Sequence, residues 1–340
     1  MNYFSIIEVD DQRWSEVVEQ CLDFDFYHTQ CYHLLEKENR AVLVVGCLDQ
    51  TIIALPLIIR KIPNSSLFDC TSAYGYCGPI SNKAFNLLSI QAISEFKKHL
   101  IQFFKESNIV TVFSRLHPLI SQGDFFDGFG EVLPINKTVA IDLKISPEEQ
   151  KKQYRKSNKS ELNQLRRKGY EVVEATTDQE IDTFIAIYHE TMQRVQASKK
   201  YFFDKNYFYN FLKNKCFQNK LLLAKNDGII CAGAIFTVTN KIMQYHLAGT
   251  TEQFIKDTPM KLILDEARLL GNNLKLDFLH LGGGVGGSDE DSLFRFKSGF
   301  SDYRCIYQIW RMIVDDENYK NLIEESGAAS NSTFFPLYRN

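Results

Sequence analysis

Short apolar runs punctuated by polar turns fill the first third of the chain. Residues 3–9 read as a strand, and helical spacing follows over residues 13–37. Residues 41–47 and 51–60 are β-rich runs separated by Leu48-Asp49-Gln50, the pattern of a hairpin. A loop rich in Gly and Tyr comes next, Tyr74-Gly75-Tyr76-Cys77-Gly78-Pro79. An amphipathic helix over residues 83–105 and a strand over 109–113 complete this part.

The same order returns further along. Residues 178–193 and 204–213 read as helices. Runs at 221–225 and 229–238 flank Asn226-Asp227-Gly228, and Asp-Gly between apolar runs is a strong hairpin signal. The turn before the next strand, residues 242–248, rests on Asn240 alone. A helix over 259–270 takes Thr258 as N-cap and Pro259 as its first residue. Gly271 is expected to end it, with a strand over 274–279 beyond. The two passes are offset by roughly 165 to 180 residues, far beyond a solenoid period. A meander followed by helix and strand implies α/β architecture with mixed sheets and helices on their faces. The expected domains are 1–145 and 146–340, the second opening on a basic helix.

Composition narrows the classes. A length of 340 residues suits two domains. A net charge of −3 argues against a surface built for nucleic acid, and no DNA partner is expected. The eight cysteines form no Cys-x-x-Cys pair and have no His cluster beside them. No metal is therefore expected, and buried free thiols are. The opening residues lack a basic region followed by an apolar stretch, so no signal peptide is expected. No run approaches the roughly 20 apolar residues of a membrane span. The expected location is the cytoplasm, with peripheral membrane contact left open.

Three segments together resemble the Fem-type (FemAB-like) branch of the GNAT acyltransferase superfamily. The first runs from Tyr154-Arg155-Lys156-Ser157-Asn158-Lys159 through Leu162 to Arg166-Arg167-Lys168-Gly169-Tyr170. The second is Tyr188-His189-Glu190-Thr191-Met192, followed by Tyr201-Phe202. The third is Leu281-Gly282-Gly283-Gly284 and then Phe296-Lys297-Ser298-Gly299-Phe300. The resemblance spans nearly the whole chain and implies two tandem GNAT-like domains. It implies an N-acyltransferase acting on an amino group of a cell-envelope precursor, polysaccharide or peptidoglycan, small or lipid-linked. Acyl-CoA is one donor. The alternative is aminoacyl-tRNA extending a peptidoglycan bridge, with tRNA as partner. A non-catalytic binding protein on the same fold is the reading from another class. Fem-type aminoacyl transferases often carry a coiled-coil arm, but residues 174–209 hold no sustained heptads.

Acyl transfer needs a deprotonated amine, donors aimed at the oxyanion, and held attack geometry. In the family the Lys matching Lys297 sits beside the donor and can stabilise negative charge, so Lys297 is the first catalytic candidate. His246 is the second, as a base near neutral pH; its alternative is a hydrogen-bonded strand residue. Tyr245 alternates with it, so the two point to opposite sheet faces. Arg155 and Lys159 share a helix face and could anchor acceptor phosphates, or simply be solvated. Tyr188, Thr191 and Arg194 fall near one face of a second helix. Tyr74 and Tyr76 either line an acceptor groove or cap the core. Gly283 and Gly284, in the run 282–287, either wall the site or form a turn. The stretch 249–259 stands where an ordinary GNAT cradles a pyrophosphate. It lacks the paired small residues of that loop, and Glu252 and Asp257 would repel phosphate.

Overall fold

Asp49 and Gln50 both take left-handed backbone, φ 47° and 63°. A tight two-residue hairpin turn needs that conformation. The computed structural model describes residues 3–285, 288, 290–328 and 332–340. Its contacts separate two units, Met1–Ile135 with Ile306–Asn340, and Asn136–Cys305.

In chain order the first unit holds β1 (Tyr3–Glu8), α1 (Arg13–Glu19), α2 (Gln30–His33), β2 (Arg40–Leu48), β3 (Thr51–Lys61), β4 (Phe68–Thr71), β5 (Ile80–Ser81), α3 (Ile90–Glu106) and β6 (Ile109–Leu116). β7 (Glu131–Asp142) carries the chain into the second unit. There follow α4 (Pro147–Lys152), α5 (Lys156–Arg167), β8 (Glu171–Glu174), α6 (Asp178–Arg194), α7 (Lys205–Leu212), β9 (Gln218–Asn226), β10 (Ile229–Thr239), β11 (Ile242–Thr250), α8 (Met260–Asn273), β12 (Phe278–Gly282) and α9 (Ser292–Lys297). β13 (Arg304–Ile313) returns the chain to the first unit, where α10 (Asp316–Ser326) follows.

The first unit orders its strands β1-β2-β3-β4-β6-β13, with β5 beside β3. Among the described residues only β4 and β6 pair in parallel as strands. The second orders them β7-β12-β11-β10-β9-β8, and among the described residues only β11 and β12 run parallel. Both units therefore share one plan: an antiparallel meander, a helix, a parallel strand, and an antiparallel closing strand. The closing strands are exchanged along the sequence, β13 serving the first unit and β7 the second. This differs from the single division expected at residue 145. Residues 139–142 pair with β12, and Val139, Ile141 and Leu143 join the second unit's core.

Local chemistry sets the ends. Asp227 and Gly228 are left-handed (φ 49° and 78°), as a tight turn requires, and Asn240 is too, at 51°. The helical spacing read over 13–37 is broken into the short α1, a turn of 3-10 helix and α2. α3 begins later than expected, capped where Ser89 Oγ accepts from the Ala92 N–H. Thr258 does not cap α8. It is itself left-handed (φ 57°), and its hydroxyl donates to Glu161 at 3.3 Å. Nor does Gly271 end that helix. It is buried inside it, where a Cβ would stand 2.7 Å from Leu143, and the next strand starts only at Phe278.

α6 lies directly on the second sheet. Cβ atoms at Gly233 and Gly249 would stand 2.5 Å from Phe184 and 2.9 Å from the Ile187 carbonyl. On the other face, α8 is tied to α4 and α5 by a buried polar cluster. Asp265 accepts from Tyr154 (3.0 Å), Arg268 (3.0 Å) and Arg166 (2.7 Å), while Arg268 also donates to Gln150 (3.0 Å). Such a network rigidifies when every member is paired, and removing one partner typically costs about 3–5 kcal/mol. Cys21, Cys47, Cys70, Cys77, Cys231 and Cys305 are free thiols. No described helix is long and apolar enough to cross a membrane, and no group of metal-ligating side chains occurs among the described residues.

Candidate active site

In the second unit the parallel strands part. β11 and β12 pair at Ile242–Phe278, Met243–Leu279 and Gln244–His280, and no later pair is formed among the described residues. β11 nevertheless runs on to Thr250 and β12 to Gly282. The register of β11 against β10 steps from Phe236–Tyr245 to Ile235–Leu247, so His246 is an inserted bulge residue just past the parting. A bulge there bends the strand and re-aims its side chains. The result is a fork with backbone edges on both arms.

Lys297 reaches into this fork. It is 7% exposed, and its Nζ donates to the Gly283 carbonyl at 2.7 Å. The same Nζ stands 5.6 Å from the centroid of the Tyr245 ring, within cation–π range. Burial pulls the ammonium down to about 7, opposed by the Asp291 carboxylate. The expectation of a site lysine and its exposed-helix alternative thus meet a buried side chain that titrates near neutrality.

The glycine run is shaped around the same short helix. Gly282 is left-handed at φ 76°. A Cβ on Gly284 would fall 2.1 Å from Asp291 Oδ1, so glycine is what lets that carboxylate approach. Asp291 is the N-cap of α9, accepting from the Phe294 N–H at 2.8 Å. Both ends of α9 therefore rest on this run, Asp291 against Gly284 and Lys297 on Gly283. Beyond α9, the Gly299 carbonyl accepts from the Arg155 N–H and from Asn158 Nδ2, each at 2.9 Å. The start of the basic helix thereby fixes the segment that carries Lys297. Gly286, Gly287 and Asp289 lie outside the described residues.

The other candidates divide between the two faces. Tyr245 is partly buried with the Lys297 side. His246 turns to the opposite face and stacks on Phe211, centroids 4.8 Å apart. Burial drops its imidazole to about 3. The ring is thus neutral at neutral pH. Tyr188 is buried, its hydroxyl donating to the Tyr201 carbonyl at 2.8 Å. Thr191 ties α6 to the end of β11, its hydroxyl accepting from the Thr250 N–H at 3.0 Å and reaching the Thr250 carbonyl at 3.1 Å. Arg194 pairs with Glu190 at 3.9 Å. Glu190 in turn accepts from the Glu252 N–H at 2.6 Å, so a carboxylate occupies a backbone donor of the loop before α8.

Arg155 and Lys159 lie together at the start of α5, donating to the carbonyls of Arg295 (3.4 Å) and Lys152 (3.0 Å). No carboxylate among the described residues pairs with either. Arg166 and Lys168, on the same basic run, are bound to Asp265 and Asp257, each at 2.7 Å.

Tyr74 and Tyr76 belong to the first unit. There the parallel pair β4–β6 also parts, after Cys70–Val112. The loop that follows fills the gap: Ser72 Oγ accepts from the Arg115 N–H (3.1 Å), the Cys77 N–H donates to the Arg115 carbonyl (2.9 Å), and the His117 N–H donates to the Cys77 carbonyl (2.9 Å). Gly75, at φ 117°, lies against the Tyr27 ring, 1.9 Å from where a Cβ would sit. Tyr76 packs edge-on against Tyr27, His117 and Tyr307. Tyr74 is exposed, its carbonyl accepting from the Tyr32 hydroxyl at 2.7 Å.

Sequence reasoning passed over Gln244, His280 and Thr138 at the root of the open fork. The available signal was a polar residue inside each of two apolar strand runs.

No family model matches the chain, and no curated protein matches it in sequence. Solved structures share its fold. FemX aligns with a TM-score of 0.72 at 12% identity, over 93% of this chain and 99% of FemX. L-PGS from Bacillus licheniformis gives 0.58 at 13% identity, over 89% of this chain and 92% of its own. A tandem GNAT protein from the clavulanic acid biosynthesis pathway, solved without AcCoA, gives 0.51 at 9% identity, over 92% and 99%. The fold is thus the mixed α/β fold that FemX and the tandem GNAT protein share.

Proposed function

We propose that the chain is an N-acyltransferase that holds its acyl donor in the open fork between β11 and β12. It acts on an amino group of a cell-envelope precursor drawn from the cytoplasm. The observation that carries this reading is the buried Lys297 ammonium at the fork, over the Tyr245 ring. In the reaction the acceptor amine attacks the acyl carbonyl, and the new C–N bond forms as the carbonyl oxygen becomes an oxyanion. The Lys297 cation donates to that oxyanion from a site of low dielectric, where such a donor is worth far more than in water. The intermediate collapses by breaking the bond to the donor's sulfur or oxygen, and the leaving group takes up the proton shed by the amine.

Acyl-CoA is the donor in the leading reading. A second reading, aminoacyl-tRNA as donor, is favoured by one contact: Glu190 already takes the Glu252 N–H in the loop that would cradle a pyrophosphate. Arg155, exposed, and Lys159, half-buried, have no carboxylate partner among the described residues and are read as the anchor for acceptor phosphates, small or lipid-linked. Calorimetric titration of the purified chain with acetyl-CoA and with CoA separates the donors. Saturable micromolar binding supports the CoA reading. No binding by folded protein overturns it, and transfer from charged tRNA to a nucleotide-linked muropeptide then tests the second.

A further inference from the structure

Two polar residues stand in apolar strand runs at the root of the fork. Gln244 follows Ile242 and Met243, and His280 lies between Leu279 and Leu281. Both are buried, and they form the last register pair before the strands part. Met243 and Leu279 enter the core on the Lys297 side, so alternation turns Gln244 and His280 to the opposite face.

Buried polar groups are costly unless paired, and these are paired in one chain across three strands. Thr138 Oγ1 and His280 Nε2 are 2.9 Å apart, and His280 Nδ1 and Gln244 Oε1 are 2.6 Å apart. Gln244 Nε2 then donates to the Tyr245 carbonyl at 3.1 Å. An amide oxygen only accepts, so Nδ1 carries a ring proton, and in the neutral tautomer Nε2 accepts from the Thr138 hydroxyl. Every donation therefore points toward the Tyr245 peptide. That peptide is the first one past the parting, and it adjoins the His246 bulge.

We propose that His280 is a positioning residue for acyl transfer. Through Gln244 it fixes the Tyr245 peptide where the fork opens, and so keeps the Tyr245 ring over the Lys297 ammonium. This role rests on the fork being the transfer site, and it means that the fork's geometry is set from the sheet face opposite the chemistry.

Hydrogen–deuterium exchange on the full chain, wild type against His280→Phe, tests it. Residues 245–250 and 281–284 should exchange about tenfold faster in the variant, while residues 218–239 keep their rate. The Lys297 titration, followed by carbon NMR of labelled lysine and assigned with Lys297→Met, should move upward from about 7 as the fork loosens. Unchanged exchange at the two arms of a folded variant overturns the proposal, as does a uniform rise across the unit. Should His280→Phe fail to fold, Thr138→Val deletes one link only. It should speed the same two segments by a smaller factor, and no local change there overturns the proposal equally. Transfer that is unchanged in a folded Lys297→Met variant would overturn the catalytic reading instead, leaving the exchange comparison to decide the role of His280.

Discussion

The two units part a parallel strand pair in the same way and then treat the gap in opposite ways. In the first, the chain re-enters: residues 72–77 hydrogen-bond along β6 past Cys70–Val112, and Gly75 lets the loop lie flat on Tyr27. In the second, β11 and β12 diverge beyond Gln244–His280, and a buried lysine lies at the opening. One plan thus gives a plugged fork and an open one. The difference lies in the segment after the inner strand. After β4 comes a loop with glycines at 75 and 78 that can fold back. After β11 comes a short 3-10 segment and the long α8, which draw the chain away.

Removing the charge from the open fork should have the largest effect. Lys297→Met should lower the transfer rate by about 10²–10³, the usual loss for one oxyanion donor. It should also raise the thermal midpoint at neutral pH, because a buried cation is replaced by an apolar chain of similar length. The titration sets the direction. Lys297 falls to about 7 when folded, against 10.5 ordinarily, so between those values the unfolded chain binds more protons. Stability therefore climbs as pH rises through that window, and the variant should lose that slope. In the wild type, transfer should decline as pH rises through about 7 and the cation is lost. A rate indifferent to both the substitution and pH would leave the two forks equivalent.

Next come the glycines that distinguish the forks. Gly284→Ala puts a Cβ onto Asp291 and should displace the cap of the lysine-bearing helix. The expected cost is about 1 kcal/mol of stability and about tenfold in rate, since small misplacements of a catalytic group are expensive. Gly75→Ala meets the Tyr27 ring with φ at 117°. It should destabilise by about 2–4 kcal/mol, read by denaturant unfolding, while donor titration at the open fork stays unchanged. Altered donor affinity in Gly75→Ala would break the distinction.

Much of this was legible in the sequence, for reasons that differ by element. The hairpins at Asp49-Gln50 and Asp227-Gly228 declare themselves because a tight turn demands residues that tolerate left-handed backbone. α6 is legible from Thr177 and Glu180 to Arg194 because a capping box and a sustained apolar face agree. Gly271 misled because a glycine packed against Leu143 reads the same as one that ends a helix. The strand exchange was hidden because β7 and β13 pair with strands remote in sequence. At the site, Lys297 and Tyr245 came from resemblance and strand alternation. The neutral state of His246 was not legible, because it depends on how deeply Phe211 and its neighbours bury the ring.

The smallest expected effect concerns two ends of one basic run, and it sharpens where the acceptor's phosphates would rest. Arg166 and Lys168 are neutralised by Asp265 and Asp257, whereas among the described residues Arg155 and Lys159 meet only backbone carbonyls. Cations that already have carboxylate partners hold the fold together; cations held by carbonyls alone keep their charge available to an anion. Replacing Arg155 and Lys159 together by Gln should raise the acceptor KM about threefold to tenfold and flatten its dependence on ionic strength, with kcat unchanged. Arg166→Gln should lower stability through the loss of a partner to buried Asp265 and leave KM alone. If the Arg155/Lys159 variant altered only kcat, the cations would be acting through the Gly299 segment that carries Lys297. The basic end of α5 would then be part of the lysine's support and not an acceptor anchor.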